Sequence, residues 1–348
     1  MPAWLAYTQC IGSAQAGRRP HGPWLIGVCA LALLIGLRHE VGGDWFNYAE
    51  HIETAELDPW AYASTWNDPA FAALTALGAI WGGDYLVNAV CAVVFSCGLA
   101  VFCRAQPHPW LAFTVAVPYL VIVVAMGYTR QGVAIGLAMA GITMLTRGRL
   151  WGFFACIASA ALFHKTAVVL FALALFSGAG PLWARFVVLP GLAAIVFAGL
   201  LADSVISLYA GYVQAAYDSA GAAIRVAMNA LPAAVFLLLR KRFKLNPNEQ
   251  RFWTLLSITG LLTVPVLMVS PSSTAVDRLA LYWIPIQLFV WSRLPLALAR
   301  FPSEFRLLTA CIILYSLAVL LVWLLFAHHS FAWLPYSFYP LVWIQGVF

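Results

Sequence analysis

The stretch Gly127-Tyr128-Thr129-Arg130-Gln131 lies at the junction of two long apolar runs of the chain. It places a single arginine, Arg130, in a region where an unpaired charge at the centre of a bilayer costs roughly 2.5 to 3.5 kcal/mol on insertion scales. Such an arginine requires a partner or a function. The rest of the sequence indicates which, because it fixes the class of the protein and the side of the membrane on which Arg130 lies.

The composition of the chain is that of an integral membrane protein. Of its 348 residues, 63% are hydrophobic and only 9% are charged, whereas soluble domains are about 25% charged. No polar segment is long enough to fold separately in water, so the sequence predicts one integral membrane domain over residues 1–348. The net charge of +6 does not predict nucleic-acid binding, because the basic residues form short clusters between apolar runs.

The apolar runs predict an all-α, polytopic helix bundle of about eleven membrane spans. The runs are 22–37, 85–103, 109–128, 130–146, 150–163, 166–178, 182–201, 223–240, 252–270, 278–293 and 305–327. Arg18 and Arg19 precede the first run, but no small-x-small cleavage motif follows it, so an uncleaved first span is expected. The shorter run from Phe71 to Trp81 predicts a re-entrant or interfacial helix.

The basic residues assign an orientation to these spans, because Lys and Arg collect on the cytoplasmic side. If the first span runs outward and 71–81 does not cross, most basic residues lie in the cytoplasm. This topology predicts an outer-face loop with interfacial helices at 38–84, a cytoplasmic loop at 241–251 and an outer-face tail at 328–348. The basic residues left outside are Arg38, Arg130, Lys165, Arg225 and Arg278.

The outer-face loop combines acids with aromatic residues. Trp45, Tyr48 and Ile52 recur at helical spacing, which predicts a short amphipathic helix on the bilayer surface with its acids in water. One interpretation is an aromatic belt at the membrane interface; another is a platform on which sugar rings stack. A second outer segment, 202–222, carries a smaller set of the same type: Asp203, Tyr209, Tyr212, Tyr217 and Asp218.

Three outer-face positions could carry chemistry. Arg130 opens a helix in which Gly132, Gly136 and Ala140 form a stripe that allows close helix packing. Helical phase turns the arginine away from that stripe, towards a cavity or, alternatively, towards the interface as a snorkelling side chain. His164 lies between two short apolar runs, where it is either a structural residue or a base matched to neutral pH.

The third position is Asp277-Arg278, which begins a helix after a Pro-Ser-Ser-Thr turn. Asp277 could simply neutralise its neighbour. Alternatively, Arg278 and Arg130 form a pair of guanidinium groups, whose geometry suits phosphate oxygens. The sequence contains no Gly-x-Ser-x-Gly, His-Glu-x-x-His or Asp-x-Asp motif, so a cytoplasmic nucleotide-sugar enzyme is disfavoured and neither a metal nor a cofactor is implied.

These residues resemble the EpsG/Wzy-like polymerases of bacterial exopolysaccharide and O-antigen synthesis. The likeness extends over most of the chain, and its specificity lies in the order and spacing of short motifs. Where the family more often has Thr, this chain has Gly43. The matching segments are Leu37-Arg38-His39-Glu40-Val41-Gly42-Gly43-Asp44-Trp45-Phe46-Asn47-Tyr48, Arg130-Gln131-Gly132-Val133-Ala134, Phe163-His164-Lys165-Thr166-Ala167, and Arg278 with Tyr282.

The resemblance implies a GT-C-like glycosyltransferase of the bacterial cytoplasmic membrane, with its active site facing the periplasm. It would transfer a growing glycan from undecaprenyl pyrophosphate to a lipid-linked repeat unit without a metal. On that basis His164 is the first candidate general base and Asp44 the second. The residues expected to bind pyrophosphate are Arg130 and Arg278, assisted by Arg38 and Lys165, and those expected to contact the glycan are Gln131, Tyr48, Tyr282 and Trp45.

The expected partners are an undecaprenyl-pyrophosphate-linked oligosaccharide and membrane lipid, with chain-length regulators and export proteins as further candidates. Three other activities remain open from the sequence. An O-antigen ligase differs only in its acceptor, and a lipid-linked oligosaccharide flippase would also line its cavity with arginine. A membrane acyltransferase that modifies glycans would likewise use a histidine.

Overall fold

The computed structural model describes residues 1–8, 21–65, 68–176, 180–201, 219 and 221–347. Within these residues the chain is helical and contains no β-strand; an isolated bridge joins Arg38 to Phe338. Helices satisfy their own backbone hydrogen bonds, which a chain this apolar must do inside a lipid bilayer.

The helices, in chain order, are α1 Pro2–Thr8, α2 His21–Gly36, α3 Trp45–Leu57, α4 Pro59–Thr65, α5 Pro69–Trp81, α6 Gly83–Arg104, α7 Pro109–Ala116, α8 Thr129–Thr146, α9 Leu150–Phe163, α10 Phe171–Phe176, α11 Leu189–Leu201, α12 Ala222–Leu239, α13 Pro247–Val269, α14 Ser273–Ala280, α15 Pro285–Leu298, α16 Pro302–Phe326 and α17 Tyr339–Val347. Short 3-10 or π-helical segments adjoin several of them, at Val117–Ala125, Lys165–Leu170, Ala184–Val188, Arg240–Phe243, Leu281–Trp283 and Ser330–Trp333.

Helices occupy all eleven predicted apolar runs, which confirms the all-α membrane bundle. In the part of the chain that the structure describes, four helices are long and apolar enough to cross a membrane: Gly83–Arg104, Ala222–Phe243, Pro247–Val269 and Pro302–Phe326. The pair Ser273–Trp283 and Pro285–Leu298, bent by 44°, forms a fifth candidate span. The count of about eleven spans, the boundaries of the loops and tail, and the orientation stay predictions.

Of the predicted stripe of small residues on α8, Gly136 makes a close helix contact, with α6. A Cβ atom added to Gly136 would lie 2.8 Å from Cα of Phe95 on α6, and one added to Gly98 would overlap the Gly136 backbone. Gly132 instead faces Ala125, just before the junction that leads into α8. The central pair α6 and α8 therefore packs backbone against backbone, which fixes the height at which Arg130 begins its helix.

The predicted helix after the first apolar run is confirmed as α3, but its surroundings differ from the expectation. Tyr48 and Ile52 are buried in a cluster with Phe71 and Val87 of α5 and α6. The apolar stripe thus packs on protein and not on the bilayer surface. The acids Glu50, Glu53 and Glu56 on the other face are exposed, as the pattern predicts.

The segment after α16 folds back onto the loop before α3 and the junction before α8. The indole of Trp333 is buried, and its Nε1 donates a hydrogen bond to the Ile122 carbonyl at 2.7 Å. A side chain at Gly127 would overlap this ring, and the Gly43 position lies beside it. The Gly42 N–H donates to the Ala332 carbonyl at 2.8 Å. The C-terminal segment therefore supports both the loop before α3 and the junction before α8.

Several sequence predictions fall on residues outside the described ranges. These residues are Arg18, Arg19, Asp203, Tyr209, Tyr212, Tyr217 and Asp218.

Candidate functional site

The candidate site lies where five chain segments meet. The loop before α3 brings Asp44, the start of α8 brings Arg130, and the break after α9 brings His164. The end of α14 contributes Arg278. The segment before α5 adds Asp68, which the sequence analysis did not single out.

Asp68 connects two of these segments. Its side chain is buried, and its residue is only 3% exposed. Oδ2 accepts a hydrogen bond from Nη1 of Arg130 at 3.1 Å, and Oδ1 accepts one from the backbone N–H of Lys165 at 3.1 Å. Nδ1 of His164 lies 3.9 Å from Oδ2, which is ion-pair distance but too long for a hydrogen bond. One carboxylate therefore positions both the arginine and the histidine loop.

The ionisation of Asp68 follows from these contacts. Burial alone would raise its pKa, but the His164 imidazole, the Arg130 charge and the Lys165 N–H outweigh burial, and the pKa is lowered. Asp68 is consequently a carboxylate. One feature of the sequence could have identified Asp68: it comes directly before Pro69, at the start of an apolar helix. Glu50, by contrast, lies on the polar face of a helix.

Arg130 is held by charge and by aromatic faces. Its Cζ lies 5.8 Å from the ring centroid of Tyr48 and 5.5 Å from that of Phe71, within cation–π range. The Tyr48 hydroxyl is also 3.5 Å from the Arg130 backbone nitrogen. The side chain remains 27% exposed, so the guanidinium reaches the surface of the site while a buried acid fixes its position.

His164 occupies an extended break between α9 and the following 3-10 helix, with φ −155° and ψ 104°. Burial lowers its pKa, and the charges of Arg130 and Arg278 lower it further, although Asp68 opposes them. Its Nδ1 is buried and has no hydrogen-bond partner among the residues that the structure describes. The imidazole is therefore neutral near pH 7 and has capacity to accept or hold a proton.

Asp44 precedes α3 but its side chain does not cap that helix. Burial raises its pKa, while the charges of Arg278, Arg130 and His164 act to lower it. Within the described ranges it has no cationic partner within 4.0 Å. Asp44 thus lies within electrostatic range of three other candidate residues without being neutralised by a direct ion pair.

Arg278 is placed by Tyr128 and Gln131. Its Cζ lies 4.0 Å from the Tyr128 ring centroid, and its backbone carbonyl accepts a hydrogen bond from Nε2 of Gln131 at 2.6 Å. The neighbouring Asp277 does not neutralise it. That carboxylate forms a bidentate pair with Arg225, whose Nη2 lies 2.6 Å from Oδ2. Of the two sequence interpretations, the pairing of Asp277 with its neighbour is therefore wrong.

Gln131 lies on α8, and Lys165 begins the 3-10 segment after His164. Gln131 is buried, and its Oε1 has no hydrogen-bond partner among the described residues. Lys165 is partly exposed, and burial lowers its pKa while the charge of Asp68 opposes that shift. Lys165 thus adds a cation beside Arg130.

Arg38 is placed differently from its expected role. It is 1% exposed, and its guanidinium donates to the Ile35 carbonyl, to the Val41 carbonyl at 3.0 Å, to Asn88 Oδ1 at 2.9 Å and to Thr129 Oγ1 at 2.8 Å. These bonds tie the loop before α3 to α6 and α8. A guanidinium whose donors are used in this way is poorly placed to bind pyrophosphate directly.

Trp45 and Tyr282 also lie beneath the site surface. The Trp45 ring is buried, and its centroid lies 5.6 Å from Cζ of Arg38. Tyr282 is 1% exposed. The Tyr282 hydroxyl lies 3.2 Å from Oγ1 of Thr166, two residues after His164. This contact links the 3-10 segment after α14 to the histidine loop. Tyr282 therefore holds that loop in place and has little exposed surface with which to contact a glycan.

Comparison with known proteins places this arrangement in a family. No curated protein and no solved structure matches the chain. The model of the EpsG family matches residues 23–338, a range that contains all of the candidate residues above. Since that match covers nearly the whole chain, the protein belongs to the EpsG family.

Proposed function

We propose that this protein polymerises a polysaccharide from lipid-linked repeat units at the outer face of the bacterial cytoplasmic membrane. EpsG membership supports a polysaccharide polymerase-type function in general. The observation that carries the finer proposal is the placement of two arginines. Arg130 is paired with Asp68 beside His164, and Arg278 accepts a hydrogen bond at its carbonyl from Gln131, the residue after Arg130. Both charges act on Asp44 and His164. This set combines anion binding with proton transfer, as a glycosyl transfer with a pyrophosphate leaving group requires.

The two arginines bind the pyrophosphate of the donor lipid. They lie on separate helices, and each is positioned by another side chain: Arg130 by Asp68 and Arg278 by Tyr128. Arginine presents a planar set of donors that matches phosphate oxygens. Because the guanidinium groups are placed before substrate arrives, they stabilise the charge that develops on the leaving group without further reorganisation. Lys165 adds positive charge at the same edge.

His164 accepts the proton of the acceptor sugar hydroxyl. The hydroxyl oxygen attacks the anomeric carbon of the growing glycan, a new glycosidic bond forms, and the bond from that carbon to the pyrophosphate oxygen breaks. The proton passes to His164, and the bonding electrons leave with undecaprenyl pyrophosphate. Asp68, 3.9 Å from Nδ1, stabilises the imidazolium that results. Asp44 is the alternative base, since burial raises its pKa towards the working range.

The aromatic and amide groups complete the site in this scheme. Gln131 is buried and holds Arg278 through the hydrogen bond from its Nε2 to the Arg278 carbonyl. Tyr48 supports Arg130 through its ring and hydroxyl. Arg38, Trp45 and Tyr282 act from beneath by holding the loop before α3 and the histidine loop in place. We therefore assign Arg38 a positioning role and not a direct contact with pyrophosphate.

The test is synthesis by purified protein in detergent or vesicles, supplied with undecaprenyl-pyrophosphate-linked repeat units. The expected product is a ladder of glycans that differ by one repeat. His164→Ala should abolish the ladder while the protein stays folded, and normal chain length in that variant would move the base to Asp44. The control for histidine replacement is His21→Ala, because His21 begins α2, outside the segments that form the candidate site.

Other outcomes of the same experiment identify the competing activities. Movement of the lipid-linked repeat across vesicles without a new glycosidic bond would indicate a flippase. Transfer of a single glycan to a non-repeat acceptor, without a ladder, would indicate a ligase. Incorporation of a labelled acyl group would indicate an acyltransferase. Each of these three results contradicts the polymerase assignment.

A further inference from the structure

A cavity of about 480 Å³ lies beside the candidate site, between α12, α16 and the segment 119–128. This volume is in the range of about 300 to 1,000 Å³ that small-molecule sites occupy. Most of its lining side chains are apolar, including Val123, Met228, Val319, Val322 and Phe326. No Asp or Glu occurs among the described residues that line it. The cavity is therefore suited to a hydrocarbon group.

The polar groups of this cavity belong to residues at the ends of its helices. Arg225 is near the start of α12, and His328 and His329 follow α16. Tyr119 also lines the cavity, and the residue is 5% exposed. Because the Arg225 charge is paired with Asp277, the occupant that fits this cavity is a long apolar group.

Tyr128 connects the cavity to the candidate site. It lines the cavity, and its ring centroid lies 4.0 Å from Cζ of Arg278. Tyr128 therefore borders both Arg278 and the apolar space. Val322 and Phe326 line the cavity from α16 and are 48% and 79% exposed. The cavity therefore opens on the outer surface of a helix that is long and apolar enough to cross a membrane, where a lipid can enter it.

We propose that this cavity holds the first isoprene units of a polyisoprenyl pyrophosphate donor, with the pyrophosphate at Arg278. The assignment rests on the proposed function and adds the position of the lipid chain to it. The cavity fixes the lipid so that its pyrophosphate and the attached anomeric carbon lie beside His164. The chain beyond the first units extends into the bilayer along α16.

The first test compares a cavity variant and a control variant, each with two donors. Ala318 lines the cavity, so Ala318→Trp fills it. Leu317→Trp is the matched control, because Leu317 is 49% exposed, does not line the cavity and lies about 100° around the same helix. The donors carry the same repeat unit, linked either to undecaprenyl pyrophosphate or to methyl pyrophosphate, which has no isoprenoid chain.

Ala318→Trp should raise the KM for the undecaprenyl donor at least about tenfold, which corresponds to about 1.4 kcal/mol, and should change kcat little. It should leave the KM for the methyl donor unchanged, and Leu317→Trp should behave as wild type with both donors. Unchanged kinetics of Ala318→Trp on the undecaprenyl donor would overturn the proposal. An equal loss on both donors would overturn it as well, since it would show a general defect of the site.

The second test measures occupancy without turnover, so that it can fail independently of the proposed activity. A farnesyl pyrophosphate analogue with a photoreactive diazirine in its chain is irradiated with the full-length protein. The label is expected on residues 119–128 and 315–326, with less labelling in Ala318→Trp and unchanged labelling in Leu317→Trp. Excess undecaprenyl pyrophosphate should compete, and phosphatidylglycerol should not. Equal competition by phosphatidylglycerol would assign the cavity to bulk lipid and contradict the proposal.

If wild-type protein forms no ladder from either donor but the labelling pattern holds, the polymerase function fails and the lipid site stands. If the ladder forms and the labelling lies elsewhere, the lipid site fails alone.

Discussion

Asp68 accepts a hydrogen bond from Arg130 at 3.1 Å, although the two residues are 62 positions apart in the chain. The acid lies at the start of α5 and the arginine at the start of α8. The contact therefore depends on how these helices pack in the bundle. It explains how a chain with so few charges keeps Arg130 at the edge of an apolar bundle. It also gives the candidate site a second negative charge, which acts on His164.

Replacing Asp68 by Asn is expected to lower kcat/KM for polymerisation at least about tenfold, because Arg130 loses the charge that positions it. The variant should also be less stable to heat, since breaking a buried ion pair leaves an uncompensated charge. The Arg130 side chain is 27% exposed, so the loss should be smaller than for a fully buried pair. Asp58→Asn is the matched control, an exposed acid of the same segment. Wild-type kinetics in Asp68→Asn would contradict the positioning role.

The acid limb of the pH–rate profile is expected below the ordinary histidine pKa of about 6.5. Burial lowers the pKa of His164, so the neutral base persists as the pH falls through that value and is lost only at lower pH. Asp68 acts to raise the His164 pKa, so Asp68→Asn should move the limb to still lower pH. Initial rates between about pH 5 and pH 8 measure this shift. A limb that moves upward would argue against His164 as the base.

The change Arg278→Lys keeps the charge but removes the planar fork of donors and the stacking on Tyr128. We expect a loss in kcat/KM of about tenfold or more, and Arg130→Lys should behave similarly. Arg306→Lys, at an exposed position on α16, serves as the control for arginine replacement as such. Full activity in Arg278→Lys and Arg130→Lys would show that the site uses point charges and not bidentate contacts.

Chelation of divalent ions is expected to leave polymerisation intact. In the proposed mechanism the guanidinium groups of Arg130 and Arg278 supply the positive charge that stabilises the pyrophosphate leaving group. Ladder synthesis should therefore proceed at an unchanged rate after dialysis against EDTA. Strict dependence on an added divalent ion would refute this part of the scheme.

Gly127→Ala is expected to destabilise the protein, because the added methyl would overlap the indole of Trp333. Overpacking of this type costs about 1 to 3 kcal/mol and should appear as a lower unfolding temperature in detergent. Gly191→Ala is the control, since no atom lies within 4 Å of a Cβ added there. If the two variants had equal stability, the contact between the C-terminal segment and the junction before α8 would be unimportant.

The sequence itself determined the class of protein and the location of its charged residues. Apolar runs of helical length, with few charges, require a helical membrane bundle because lipid leaves backbone groups no other partner. The spacing of Trp45, Tyr48 and Ile52 likewise determined helix α3, since periodicity is a property of the local chain. The same reasoning identified Arg130, His164 and Arg278 as polar groups at the ends of apolar runs.

Only the tertiary structure decided which of these ends meet. The role of Asp68, the pairing of Asp277 with Arg225 and the burial of Arg38 all depend on contacts between residues far apart in the chain. The position of Trp333 above Gly127 depends on such a contact as well. Hydrophobic periodicity reports which face of a helix is apolar, but it does not report which neighbour covers that face. A charge in an apolar bundle takes whichever partner helix packing brings within reach, and that choice is made in three dimensions.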